Sequence, residues 1–138
     1  MTPRAIHDVV VVGGGASGLA AAIEARALGR DVVLIEKNPR LGGSTAWSIG
    51  SVSASATPHQ LRKAILDRPQ DHWRDMAGFN GALDPRDNAE LRRVLAEAMP
   101  ETFRWLLAHG VRFYGPTPAQ EAAHAQRAAQ FARLHYPP

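Results

Sequence analysis

The chain has 138 residues, the length of one small domain, and its formal net charge of +3 is modest. No basic stripe with interleaved aromatic residues is present, which argues against nucleic acid as a partner. The sequence contains no cysteine, which excludes disulfides, thiolate metal sites and a cofactor attached through cysteine. No apolar run is long enough for a membrane span and no signal peptide precedes the first predicted strand, so we expect a cytoplasmic location.

A strand, a glycine-rich turn and a helix are predicted first. The β-branched run Val9–Val12 is followed by Gly13-x-Gly15-x-x-Gly18, and a helical pattern begins at once. Gly13 lets the chain leave the strand, Gly15 lets the backbone approach a pyrophosphate, and Gly18 lets the helix pack close to the strand. Unpaired N–H groups and the helix dipole stabilise an anion at such a place. The candidate cofactor-binding residues here are Gly13, Gly15, Ala16, Ser17 and Gly18.

The second predicted strand, residues 31–36, ends on an acid and is too apolar to be half exposed. Glu36 lies 18 positions after Gly18, close to the spacing of about 20 expected for the residue that binds ribose hydroxyls. A carboxylate at this position repels a 2′-phosphate and so disfavours NADP. The sequence therefore predicts a βαβ unit that binds a dinucleotide. The alternative is a purely structural βαβ unit with an accidental acid.

A loop rich in glycine and hydroxyl residues follows over residues 37–50. Its backbone N–H groups and Ser/Thr oxygens can contact a second phosphate or the edge of a flavin. The residues Glu36-Lys37, Leu41-Gly42-Gly43-Ser44-Thr45, Ser48 and Gly50 resemble the flavoprotein family of fumarate reductase and succinate dehydrogenase. Relatives of that family include L-aspartate oxidase and the 3-ketosteroid dehydrogenases.

The resemblance implies FAD as the cofactor, with this loop running along the pyrophosphate towards the isoalloxazine ring. Family members usually carry a glycine-rich cluster after the Ser/Thr pair, whereas this chain has Ile49 and Ser51 on either side of Gly50. The resemblance adds as candidate cofactor-binding residues Glu36, Lys37, Gly42, Gly43, Ser44, Thr45 and Gly50.

A mainly helical segment is predicted over residues 58–112. A first helix begins at Thr57 or Pro58 and ends before Pro69, and residues 71–79 form another short helix. Residues 88–98 and 100–110 predict a helix pair, with Pro100 in a first turn and Gly110 as a stop. This pair also resembles the stretch that follows the flavin loop in the same family.

Several side chains in this segment invite a catalytic or metal-binding interpretation. Phe103 and Trp105 are predicted as core residues, and His109 as a capping or surface residue. The remaining candidates are expected on a solvated face and match no metal-ligand spacing; they are His59, Asp71, His72 and Asp75. We therefore assign neither a metal ligand nor a catalytic residue.

The predicted fold is α/β, an incomplete Rossmann-like FAD-binding βαβ unit followed by a mainly helical segment. Residues 6–57 form the FAD-binding unit with its flavin loop, 58–112 the helical segment and 113–138 a poorly anchored tail. Two strands make a poor parallel sheet, which needs cover on both faces. In the family that the chain resembles, a later part supplies more strands and the catalytic acid and base. We therefore expect the N-terminal part of a larger flavoprotein.

The tail carries a hypothesis of its own. Residues 119–133 are rich in Ala, Gln and Arg and have few large apolar side chains. Read one base forward, available codons from His124 to Tyr136 encode a stretch similar to one found downstream in some family members. We therefore hypothesise that part of the tail is out of frame, through a +1 frameshift between Phe113 and His124.

Three functions stay open at this point. The first is the FAD-binding part of an oxidoreductase that passes a hydride between flavin and a carbon next to a carbonyl or carboxylate of a small-molecule substrate. The second is a truncated, catalytically inactive product with weak or no cofactor binding. The third is a small NAD-binding module, which the loop disfavours because NAD folds usually continue there into a helix and a third strand.

Overall fold

The computed structural model describes residues 6–77, 81–114 and 133–135, and the chain divides into two compact units, Met1–Gly50 and Ser51–Pro138. The first unit contains strand β1 (Val9–Val12), helix α1 (Ala16–Ala27), strand β2 (Val32–Ile35) and a 3-10 turn (Gly43–Trp47). β1 and β2 pair in parallel, with Val9 opposite Val32 and Val12 opposite Ile35. The predicted strand–turn–helix–strand order is confirmed.

The register of the two strands is fixed at both ends. At the N-terminal ends of the strands, Asp8 Oδ2 accepts the Asp31 N–H at 2.9 Å, and the Val9 N–H donates to the Asp31 carbonyl at 3.0 Å. At their C-terminal ends, the Gly13 N–H donates to the Ile35 carbonyl at 2.7 Å. Gly13 then leaves the strand at φ +102°, a conformation that a residue with a Cβ rarely adopts.

The two strands are less covered than their sequence indicates. Val11 is buried, whereas Val12 is 81% exposed and Ile35 is 52% exposed. The prediction that the second strand is too apolar to be half exposed is therefore wrong at Ile35. A β-branched run of this kind suits a strand covered on both faces, and the described residues of this unit supply one long helix, α1.

The second unit is mainly helical, as predicted. Its elements are β3 (Val52–Ser53), α2 (Pro58–Arg62), α3 (Pro69–Ala77), a 3-10 turn (Gly81–Arg86), α4 (Ala89–Ala108) and β4 (Leu134–His135). β3 and β4 pair antiparallel, with Val52 opposite His135. Within the described part of the chain, no helix combines the length and apolar character needed to cross a membrane.

The core of the second unit lies around Phe103, which is fully buried. Its ring centroid lies 4.8 Å from that of Phe113 and 4.6 Å from that of His135. Phe103 is therefore the core residue that the sequence predicted. Trp105 is only partly buried and lies against His109, whose Nδ1 is 2.9 Å from the Trp105 carbonyl at the end of α4. His109 therefore has the predicted capping position.

One continuous helix stands where the sequence predicted two. α4 runs through Pro100, which is buried inside the helix. A proline in a helix interior lacks the N–H of one ladder bond and costs about 3 kcal/mol relative to alanine. Burial of Phe103, one turn further along the helix, supplies apolar packing that offsets this loss. The prediction that Pro100 begins a separate helix is wrong.

Two residues expected on a solvated face are buried instead. Asp71 is 4% exposed and is held by Arg68 Nε at 2.9 Å and Arg74 Nη1 at 2.8 Å. His72 is also 4% exposed, and its Nε2 lies 3.4 Å from Ser53 Oγ. The paired arginines explain why a carboxylate can be buried here. No group of three or more possible metal ligands occurs among the residues that the structure describes.

The described part of the tail is closely held. Arg133 is 2% exposed and binds Asp67 through Nε and Nη2, both at 2.7 Å, and Asp75 through Nη1 at 2.5 Å. His135 is fully buried, with its Nε2 at 3.0 Å from Thr57 Oγ1. These contacts differ from the expectation of a poorly anchored tail. Residues 115–132 and 136–138, which include most of the hypothesised out-of-frame stretch, lie outside the described residues.

We expect the second unit to lose stability in mild acid. Burial lowers the pKa of His72 and of His135 from 6.5 to about 4. Between these two pH values the unfolded chain binds protons that the folded chain does not, so folding weakens as the pH falls. The loss approaches about 3 kcal/mol for each histidine. Urea unfolding at pH 7.5 and 4.5 measures it, and His72→Asn should reduce the dependence of the free energy of unfolding on pH. A free energy of unfolding that is constant over this range would contradict the prediction.

Candidate dinucleotide site

The N-terminus of α1 is open to an anion. Gly15 is the N-cap residue, no side chain of the helix caps it, and the first turn contains no acidic residue. The first N–H groups of a helix have no partner within the helix. Ala16 and Ser17, whose N–H groups belong to this set, are exposed. This end of α1 therefore presents donors and the positive end of the helix dipole to solvent.

The glycines of the turn have different surroundings. A Cβ at Gly15 would meet only the Gly42 carbonyl oxygen, at 3.9 Å, so the space in front of Gly15 is open. A Cβ at Gly18 would stand 1.9 Å from the Gly13 carbonyl oxygen. Gly18 therefore allows the helix to lie against the turn, whereas Gly15 leaves room for a ligand.

The second glycine-rich loop lies beside the first. The Gly42 N–H donates to the Gly14 carbonyl at 2.7 Å, and Gly15 and Gly42 form a parallel bridge. Gly42 has φ +121°, and a Cβ there would lie 2.7 Å from the Ala46 Cβ. The backbone of Gly42 and Gly43 therefore lies against the phosphate turn, and the Leu41 side chain packs on Gly14.

Thr45 extends this contact to the helix. Its Oγ1 lies 3.4 Å from the Ala16 nitrogen and accepts that N–H in a long hydrogen bond. Because a threonine hydroxyl has one hydrogen of its own to donate, Thr45 can also donate to a phosphate oxygen at the same place. The helix terminus and the second loop thus offer donors to one region.

Glu36 follows β2 and reaches back to the turn. Its Oε2 accepts the Gly14 N–H at 2.7 Å, and its Oε1 accepts the Asn38 N–H at 2.8 Å. These two hydrogen bonds hold the pKa of Glu36 below the ordinary 4.5, and the bond from Gly14 has the larger effect. The carboxylate is therefore ionised at neutral pH. Each oxygen keeps a further lone-pair site, and Glu36 is only half-buried, so ribose hydroxyls can reach it.

The structure brings most of the predicted site residues together. The turn and first helical turn, Glu36, and the start of the second loop meet within one region; they are Gly13, Gly15, Ala16, Ser17, Gly18, Glu36, Gly42, Gly43 and Thr45. Lys37 and Ser44 are exposed residues further along the same stretch. Gly50 ends it, and its N–H donates to Ser48 Oγ at 3.1 Å.

Gly14 is the residue of this region that the sequence interpretation passed over. The G-x-G-x-x-G pattern treats its position as variable, yet Gly14 is buried and bonds through both its N–H and its carbonyl. Hydrogen bonds from the backbone do not depend on the type of residue, so no sequence signal could have identified them.

Comparison with known proteins identifies the family. The sequence model of the FAD binding domain matches residues 8–137. Two relatives are an NADH:fumarate oxidoreductase of Klebsiella pneumoniae, 36% identical over 107 residues, and a fumarate reductase (cytochrome) of Shewanella frigidimarina, 38% identical over 109 residues. These alignments cover 76% and 78% of this chain, but only 11% and 18% of the relatives, so the chain spans a small part of their length.

A solved structure agrees with the sequence relatives. The 3-ketosteroid-Δ4-(5α)-dehydrogenase of Rhodococcus jostii RHA1, crystallised with 4-androstene-3,17-dione, superposes with a TM-score of 0.76 and 30% identity. The superposition covers 95% of this chain and 30% of that enzyme. FAD is the cofactor that this family indicates, and the open α1 terminus beside Glu36 fits it. The chain therefore belongs to the FAD-binding domain family of the fumarate reductase and steroid dehydrogenase type.

Proposed function

We propose that this chain is the N-terminal FAD-binding part of an oxidoreductase that transfers a hydride between flavin and a carbon adjacent to a carbonyl or carboxylate. The observation that carries the proposal is the N-terminus of α1, with the Gly42–Thr45 segment and Glu36 both in contact with the turn that leads into it. Anion donors and a ribose acceptor thus lie within one region. FAD, when bound, supplies the hydride carrier, and the residues of this chain bind and orient it.

Each candidate residue has a role in this proposal. The N–H groups at the start of α1 and Thr45 contact the pyrophosphate, and Gly15 gives it room. Glu36 accepts hydrogen bonds from the adenosine ribose. The remaining candidates belong to the same loop: Lys37 lies at its start, Gly43 and Ser44 precede Thr45, and Gly50 lies at its end, towards the flavin.

The substrate is a small molecule in this proposal. The relatives named above carry fumarate reductase and steroid dehydrogenase in their names. Both kinds of substrate have a carbon–carbon bond near a carboxylate or carbonyl that hydride transfer can reduce or oxidise. In this proposal the residues of this chain bind FAD, and the catalytic residues lie in the remainder of a longer protein. A cytoplasmic location stays a prediction from the sequence.

The alternative function is a catalytically inactive product with weak or no cofactor binding. The exposed faces of β1 and β2 favour it, because Val12 and Ile35 present apolar surface that a complete parallel sheet would cover. The third hypothesis, a small NAD-binding module, loses support from the family match, which indicates FAD.

Titration of FAD, ADP and NAD⁺ into the 138-residue chain separates the three functions. Trp47 is 92% exposed within the second loop, so its fluorescence reports on ligands there. We expect FAD to bind, ADP to compete with it and NAD⁺ to bind more weakly. No binding of any of the three would favour the inactive product, and a preference for NAD⁺ would overturn the proposal.

Glu36→Ala should weaken FAD binding roughly ten- to hundred-fold, because hydrogen bonds to a charged group are worth about 1.5–3 kcal/mol. The same flavin titration measures the change. Glu24→Ala, which removes an exposed carboxylate from α1, is the matched control and should leave the affinity unchanged. Equal affinity in Glu36→Ala and the wild type would contradict the assignment to the ribose.

A further inference from the structure

Glu36 also accepts hydrogen bonds from the protein's own backbone at this site. Its two oxygens accept hydrogen bonds from two different segments, Oε2 from the Gly14 N–H at 2.7 Å and Oε1 from the Asn38 N–H at 2.8 Å. Gly14 lies in the phosphate turn and Asn38 in the loop that follows β2. One side chain therefore connects the turn to the loop without any ligand.

The other backbone hydrogen bonds of the turn show that Glu36 supplies the last partner of Gly14. The Gly14 carbonyl accepts the Gly42 N–H at 2.7 Å, and the Gly13 N–H donates to the Ile35 carbonyl at 2.7 Å. Both polar backbone groups of Gly14 are thus satisfied by the protein, one of them by Glu36. Because Gly14 is buried, losing the Glu36 oxygen would leave its N–H without an acceptor there, and a turn with such a donor rearranges.

We propose that Glu36 is a positioning residue for the phosphate turn: it fixes the Gly14 peptide before the cofactor binds, in addition to its proposed contact with the ribose. The donors at the start of α1 are then in place for the pyrophosphate before it binds and do not first have to be ordered. Preorganisation of this kind raises affinity by reducing the ordering that binding requires. The cofactor part of this inference rests on the proposed function, whereas the backbone part does not.

Glu36→Gln separates the two roles. A glutamine side chain has one acceptor oxygen and one NH₂ donor, so it can satisfy the Gly14 N–H or the Asn38 N–H, but not both. Towards a pair of ribose hydroxyls, by contrast, an amide can both accept and donate. Glu36→Gln therefore removes the double backbone contact and retains groups that suit the ribose.

The first measurement uses the cofactor-free chain. The amide proton shifts of Gly14 and Asn38 are followed by NMR as the pH is lowered, since an amide bonded to a carboxylate responds when that carboxylate is protonated. We expect both amides to titrate together, with a midpoint below 4.5 because their own hydrogen bonds and the neighbouring Lys37 lower the pKa of Glu36. The common titration should disappear in Glu36→Gln and persist in the control Glu24→Gln.

The second measurement is the FAD affinity of the same variants. Glu36→Gln should weaken binding roughly fivefold or more, because the Gly14 N–H then exchanges a charged acceptor for a neutral one or loses its acceptor, and Glu24→Gln should not. A Gly14 amide that does not titrate in the wild type, or that still titrates in Glu36→Gln, overturns the positioning role. So does wild-type affinity in Glu36→Gln. A wild-type chain that shows both titrations but binds no FAD overturns the proposed function instead.

Discussion

Gly18→Ala should destroy the phosphate turn and abolish FAD binding with it. The added Cβ would stand 1.9 Å from the Gly13 carbonyl oxygen, well inside van der Waals contact. This oxygen cannot simply move away, because it shares a peptide group with the Gly14 N–H, which is bonded to Glu36 Oε2 at 2.7 Å. Overpacking of a well-packed site costs about 1–3 kcal/mol, and we expect a backbone clash to lie at the upper end. Flavin titration and the urea dependence of the circular dichroism signal measure the two effects.

Gly15→Ala is the matched control for this prediction. The same methyl group at Gly15 meets only the Gly42 carbonyl oxygen, at the ordinary contact distance of 3.9 Å. The unfolding midpoint should therefore stay close to that of the wild type, while FAD affinity falls because the methyl group occupies the place of the pyrophosphate. A Gly18→Ala protein that purifies with a full complement of flavin would show that the turn is misplaced.

The first unit could be predicted from sequence because its contacts are local or follow a strict spacing. A β-branched run, three glycines and an acid at a fixed distance determine a strand, a turn, a helix and a second strand. The position of Glu36 at the end of β2 follows from that order. Its bond to Gly14 does not, because a backbone N–H is present in every residue except proline and so has no sequence signature.

The second unit was harder to predict for two physical reasons. β3 and β4 are two residues long and come from opposite ends of the unit, so no periodicity could indicate that they pair. The burial of Asp71 depends on arginines one turn away on either side, and that of Arg133 on two distant carboxylates. Charged residues are expected at the surface unless such partners are known, and the pairing is a property of the fold.

The buried pair of Arg133 and Asp67 should make the second unit intolerant of substitution at Asp67. Asp67→Ala removes both 2.7 Å bonds from the guanidinium. It also deprives the Gln60 amide of its 2.9 Å bond to Asp67 Oδ2. Breaking a buried ion pair by removing one partner costs about 3–5 kcal/mol, because the other charge is left poorly compensated away from water. Urea unfolding of the variant measures this loss.

Two comparison variants give this prediction a clear outcome. Glu90→Ala removes an ion pair with Arg93 that lies at the surface and should change the unfolding midpoint little. Asp67→Ala combined with Arg133→Met removes both charges and should recover part of the stability lost in the single variant. Recovery would show that the guanidinium left without Asp67, rather than the missing carboxylate volume, causes the loss. If Asp67→Ala unfolds at the same urea concentration as Glu90→Ala, the pair with Arg133 does not stabilise the second unit.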